Sequence, residues 1–88
     1  MSRQERLISN SLTICADLSE VTYECVESHE GLAKVIRFKL SGDEPRFGDT
    51  LLIVAGSDIL FHGLVRALDA DGFALALDPG SKLPKTVP

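Results

Sequence analysis

Thr50-Leu51-Leu52-Ile53-Val54-Ala55-Gly56-Ser57-Asp58-Ile59-Leu60-Phe61-His62-Gly63-Leu64-Val65-Arg66-Ala67-Leu68 is the stretch on which the fold turns. Its first part, Leu51 to Val54, is apolar without interruption, and a strand apolar on both faces must be covered on both faces. Gly56-Ser57-Asp58 reads as a tight turn. From Ile59 to Leu68 the period is two: Phe61, Val65 and Ala67 alternate with His62, Leu64 and Arg66, as in a half-buried strand. Gly63, inside that strand, marks a bulge or a close backbone approach, as at a barrel corner.

The same period extends in both directions. Upstream, residues 11 to 17 place Leu12, Ile14 and Ala16 against Thr13, Cys15 and Asp17, and Asp17-Leu18-Ser19-Glu20 reads as a turn. Val21, Tyr23 and Cys25 then face one way, Thr22 and Glu24 the other. After a connection at Ser28-His29-Glu30-Gly31, Leu32, Ile36, Phe38 and Leu40 share one face of a strand, and Val35, Arg37 and Lys39 the other. Lys34 falls on the apolar face, its stem inside and its amine at the rim of the core. Ser41 to Asp49 is a long loop. Downstream, Asp69-Ala70-Asp71-Gly72 is a hairpin signal, because glycine takes positive φ freely. Phe73, Leu75 and Leu77 follow as a core face, with Ala74 and Ala76 between them.

Six strands joined by short turns predict an all-β fold, a small antiparallel six-stranded barrel or compact sandwich. Closure would remove the open edges that aggregate. Residues 1–88 read as one domain, with 1–10 an N-terminal arm and 78–88 an extended C-terminal tail without periodicity. A chain of 88 residues supports one core and no more.

Composition narrows the function classes. Hydrophobic residues at 44% and charged residues at 25% are those of a folded domain, not a disordered one. No run approaches the roughly 18 apolar residues of a membrane span, so no membrane partner is expected. The start, Met1 to Arg6, lacks the apolar stretch and cleavage site of a signal peptide, and the expected location is the cytosol of the cell that makes it. A net charge of -4 argues against nucleic acid as a partner, since such affinity comes largely from clustered Lys and Arg. Lys34, Arg37 and Lys39 are the one dense basic group, and Glu20, Glu24, Glu27 and Glu30 lie just upstream to offset them.

Catalytic, metal and cofactor chemistry all lack a convergent pattern. Were Cys15 and Cys25 to flank a hairpin turned at 17–20, Cys15 would lie opposite Thr22, facing outward while Cys25 faces inward. A disulfide requires Cα atoms roughly 4.4–6.8 Å apart with converging Cβ vectors, so free thiols are expected. His29 in a turn and His62 on an outward strand position have no metal-ligand spacing. Ser28-His29-Glu30 gathers three suggestive residue types, but neighbours on one turn do not aim at one point. Asp43, Glu44 and Asp49 read as solvated turn formers. The chain is therefore expected not to be an enzyme and to carry no metal and no cofactor.

More informative are the apolar residues opposite the presumed core: Val26, Val35, Leu52, Val54, Leu60, Leu64 and Leu68. Strong curvature with coverage by the terminal segments would account for them. So would a partner surface, since soluble monomers seldom expose large apolar patches.

From Leu12 to Leu68 the chain resembles the small β-barrel domains of phage tail hub proteins, the late control protein D and type VI spike superfamily. The resembling residues are Phe47-Gly48-Asp49-Thr50-Leu51-Leu52-Ile53, the turn at Gly56-Ser57-Asp58, and Ile59-Leu60-Phe61-His62-Gly63-Leu64-Val65. Val21-Thr22-Tyr23-Glu24 and Ile36-Arg37-Phe38-Lys39-Leu40 look like that family's first strands. The resemblance implies a structural component of a tail tip or baseplate, made in the bacterial host cytoplasm and resident in the virion tail. It would act through contacts with other tail proteins and with copies of itself in a ring, across an interface of Leu52, Val54, Leu60, His62, Leu64 and Arg66. A second resemblance, to PilZ-type barrels that bind cyclic di-GMP, rests on Arg3 and Arg6 followed by Asp17-Leu18-Ser19. There the arginines are spaced R-x-x-R instead of R-x-x-x-R, and Thr22 stands where that motif has glycine. A protein-interaction domain unrelated to phages is the third reading.

Overall fold

The computed structural model describes residues 12–42 and 44–86; the expected N-terminal arm, 1–10, lies outside them. The six strands are β1 (Thr13–Asp17), β2 (Val21–His29), β3 (Leu32–Leu40), β4 (Thr50–Ala55), β5 (Asp58–Leu68) and β6 (Ala74–Leu77). They form one sheet in the order β1-β4-β5-β6-β3-β2. The all-β expectation holds. The sheet is mixed, however, because β1 runs parallel to β4 while every other pair is antiparallel.

Residues 17–20 explain the difference. They were expected to turn a hairpin, but they form a capped 3-10 turn over Leu18–Glu20. Asp17 Oδ2 accepts from Ser19 N at 3.0 Å and Ser19 Oγ at 2.6 Å, while Asp17 N donates to Glu20 Oε1 at 3.1 Å. This capping box satisfies donors at the start of the turn and leaves β1 and β2 unpaired with each other. The two strands lie at opposite edges of the sheet, yet so short a link spans only about 14 Å. The sheet must therefore curl until its edges adjoin at this corner. It does not close into a barrel.

The concave face holds the core: Ile36, Phe38, Leu51, Ile53, Phe61 and Val65 are fully buried. β6 reverses the expected faces. Ala74 and Ala76 are 1% exposed, whereas Leu75 is half-buried and Leu77 lies outside. Ala76 sits between Val65 and Ile36, and Ala74 beside Phe38. With Phe38 and Phe61 already filling the interior, only small side chains fit along β6. β-bulges on three of the strand pairs shift the other alternations, the one on the β5–β6 pair at Arg66. Ile53 pairs with Phe61 and Val54 with Ile59, so Leu60 is the extra residue. It packs against the core margin and does not face outward as expected. On the β2–β3 pair, Val26 and Lys34 are the extra residues. Ala33 becomes fully buried, and Lys34 Nζ donates to the Ser81 carbonyl at 3.1 Å. The β2–β3 connection itself is only Glu30 and Gly31, both at positive φ (53° and 82°), as a two-residue type I′ turn requires.

The C-terminal segment is extended, and it is also a structural strap. Asp78 N donates to Lys34 O, Lys82 N to Leu60 O, Ala33 N to Leu83 O, and Lys85 N to Gly31 O, all within 2.7–3.0 Å. The segment thus resumes the line of β6 between β5 and β3, with Leu32 bridged to Pro84. Leu83 is fully buried at the end of the core, and Tyr23 Oη donates to Pro84 O at 2.8 Å. The burial of Ser81 and Leu83 against exposed Lys82 and Pro84 is itself a period of two.

Candidate interaction face

Register carries one row of side chains across the convex face. Thr13 pairs with Thr50, Thr50 with Leu64, Leu64 with Leu77, Leu77 with Val35, and Val35 with Glu27. Side chains directly opposite on one face touch, with Cβ atoms roughly 4.5–5.5 Å apart. Leu64, Leu77 and Val35 therefore form an apolar row over three strands, with Leu64 47% and Leu77 38% exposed. Leu52, paired with Cys15 and His62, lies on the diagonal from Leu64, and Leu52, Val54 and Val35 are half-buried. Thr50, His62, Leu64, Arg66, Leu77 and Pro79 line a shallow groove with the backbone of Gly63 in its wall.

Of the residues expected at an interface, Leu52, Val54, His62, Leu64 and Arg66 do lie on the outer side, and Leu60 does not. Leu77 was missed because its place in a run of alternating large and small residues suggests the large ones face inward. Val35 stood among the exposed apolar residues, but its contact with Leu77 needed the β3–β6 register. Phe47, 69% exposed beside the turn that opens β4, is a further apolar residue in solvent.

The other residues singled out by type are not brought together. Cys15 and Cys25 are free thiols. Cys15 lies opposite Leu52 on β4, not Thr22, because β1 and β2 do not pair. Cys25 packs at the core margin, its Sγ 3.2 Å from Glu27 O. Exposed His29 stands 3.8 Å from Glu30 at the tip of the β2–β3 hairpin, and His62 is on the convex face. Among the described residues no group of three His, Cys, Asp or Glu side chains is placed to hold a metal ion. Arg3, Arg6 and Asp43 lie outside the described residues, and Asp17 and Ser19 bond each other in the cap. Asp49 corrects the reading of the loop carboxylates as solvated. It is 1% exposed and accepts from Leu12 N at 3.1 Å and Arg46 N at 2.9 Å.

One polar cluster is well built. Arg37 on β3 donates from Nε to Asp69 at 2.9 Å and from Nη1 to Glu24 at 3.1 Å, with Asp71 at 3.6 Å. Its guanidinium lies 3.9 Å from the centroid of the Phe73 ring, a cation–π contact. The acidic offset expected for the basic group is thus realised at Arg37 by Glu24, with the β5–β6 turn completing the shell. Partial desolvation works to raise the Asp69 pKa, but N–H donation from Phe73 and Asp71 and the Arg37 guanidinium outweigh it, and the pKa lies below the usual value. A depressed carboxylate pKa contributes stability above the unfolded-state value, about 3.9, and loses it as pH falls through the folded value. Hydrogen exchange is accordingly expected to show the Asp71 and Phe73 amides equally protected from pH 8 to pH 5 (roughly the range above every Asp titration) and progressively less below about pH 4. A carboxyl NMR titration placing Asp69 at or above the ordinary aspartate value would contradict this account.

No protein-family model, curated protein or solved structure matches the chain.

Proposed function

We propose that this chain is a non-catalytic assembly domain, a structural part of the tail tip or baseplate of a bacteriophage or phage-like particle, working through protein–protein contacts on its convex face. The observation that carries the reading is the outward row Leu64–Leu77–Val35 with Leu52 on its diagonal. A strand pair needs only one apolar face to fold. The core here is filled from the concave side, so the second apolar face is surplus to folding and suited to a partner. The tail-hub identity rests on the resemblance over Leu12 to Leu68. Two of its motif positions have definite physical work: Asp49 clasps the start of β1, and Gly63 admits the backbone of β6.

The reading places the protein in the virion after synthesis in the host cytoplasm, without metal, cofactor, nucleic acid or membrane. Tail particles purified from a producing culture test it. The wild-type chain is expected in the particle fraction by mass spectrometry, and the Leu64→Ser/Leu77→Ser variant, with an unchanged circular dichroism spectrum, is expected to be lost from it. A wild-type chain found only outside the particles overturns the reading.

A further inference from the structure

The convex face is unequal in charge from one side to the other. On β5, Arg66 and His62 flank Leu64 at the groove, and Arg66 makes no ion pair among the described residues. The nearby carboxylate of Asp78 is engaged by His62 N at 2.8 Å and Gly80 N at 2.9 Å. Glu27, on β2, stands at the other end of the same row, three strand spacings from Leu64, or about 14 Å. There the β2–β3 hairpin projects with Val26, Glu27, Ser28, His29, Glu30 and Gly31 all exposed. The bulge turns Val26 away from the core and leaves it 51% exposed. Thus one side of the domain offers a shallow apolar groove with a cationic rim. The other offers a protruding tip with an apolar residue beside the carboxylates of Glu27 and Glu30, the latter 3.8 Å from His29.

We propose that a second copy of this chain seats its β2–β3 tip in the groove, with Val26 against Leu64 and Leu77 and the Glu27 and Glu30 carboxylates against Arg66 and His62. The groove is concave and the tip convex, and their charges are opposite in sign. A single copy cannot bring its own tip to its own groove, because β6 and β3 hold them apart. Because the two patches differ, the contact is either made twice in a closed two-fold dimer or repeated from copy to copy into a ring or filament. The inference rests on the assembly reading above and names a partner for it.

Charge exchange in the full chain tests the contact, read by sedimentation velocity and native mass spectrometry. The wild type is expected to form dimers or larger species as concentration rises. Arg66→Glu and Glu27→Arg should each weaken association about tenfold or more, since like charges then meet across the contact. The double variant Arg66→Glu/Glu27→Arg should recover most of that loss. So should an equimolar mixture of the two single variants, because each groove then finds a complementary tip. Circular dichroism melts check that all variants fold. A wild type that stays monomeric to millimolar concentration overturns the proposal, as does a double variant that fails to recover. A monomer in solution that is nonetheless found in tail particles would overturn this contact alone and leave the assembly role standing.

Discussion

Replacing Gly63 by alanine is expected to destabilise the domain by roughly 3 kcal/mol, near the upper end of what overpacking a close-packed core does. An added Cβ would stand 2.5 Å from the carbonyl oxygen of Leu77, 2.9 Å from its carbonyl carbon, and 2.6 Å from Cε1 of Phe61. Two of these three obstacles are backbone in the neighbouring strand β6, and backbone there cannot retreat. β6 is held on both sides, by β5 at Leu64, Val65, Ala67 and Leu68 and by β3 from Val35 to Phe38. The effect is therefore one of space: a methyl group has nowhere to go, whatever the torsion angles allow. In a domain of this size, about 1 kcal/mol moves the melting temperature by roughly 4–8 °C, so thermal denaturation should show a loss well over 10 °C (about three such steps). Phe61→Leu added to Gly63→Ala separates the causes. If the backbone clash dominates, removing the ring edge does not restore stability. A Gly63→Ala protein that melts with the wild type would mean that β5 and β6 are less closely apposed than described.

Much of this fold was legible in the residues, and the failures share a physical origin. Alternation located five of the six strands, because a strand half in water must show a period of two, and β4 was legible from its uninterrupted apolar run. It could not say which strands pair. Asp17-Leu18-Ser19-Glu20 has the composition of a hairpin turn, and the same residues build a capping box on a 3-10 turn that delivers the chain to the far edge of the sheet. Pairing is a long-range property, and short-range turn chemistry was compatible with both outcomes. Side-chain size misled at β6. In isolation Leu75 and Leu77 outrank Ala74 and Ala76 for burial, but volume is a property of the whole interior, which Phe38 and Phe61 had already taken. The bulges at Val26, Lys34, Leu60 and Arg66 each insert one residue and so exchange faces beyond them. None has a glycine to announce it. The convex face was accordingly half visible. Leu52, Val54 and Leu64 follow from alternation alone, while the continuation through Leu77 to Val35 depends on β6 lying between β5 and β3.

Asp49→Ala is the second substitution expected to have a large effect, about 2–4 kcal/mol, through a mechanism unlike that at Gly63. The Asp49 carboxylate is buried, and each of its oxygens accepts one main-chain N–H, from Leu12 at the head of β1 and from Arg46 in the turn that opens β4. Its own backbone is also committed: Asp49 N donates to Arg46 O at 3.0 Å and Asp49 O accepts from Val65 N at 2.8 Å. Truncation would leave the Leu12 and Arg46 donors without acceptors in a partly buried place, and each such orphan costs about 1–3 kcal/mol. The loss should be localised. β1 is an edge strand paired only with β4 among the described residues, and the Leu12 carbonyl accepts from Thr50 N next to the clasp. Without the carboxylate, the head of β1 loses the contact that sets its register against Thr50. Hydrogen exchange should then show early loss of protection at Leu12, Arg46 and along Thr13 to Ala16, while Ile36 and Phe61 fall only with global unfolding. Asp49→Asn sharpens the test, because the amide retains one acceptor and turns an N–H₂ toward a main-chain N–H. It should recover only part of the loss. Full stability in Asp49→Asn would mean that one of the two hydrogen bonds contributes nothing, and uniform loss of protection in Asp49→Ala would show that Asp49 supports the whole core and not the edge it clasps.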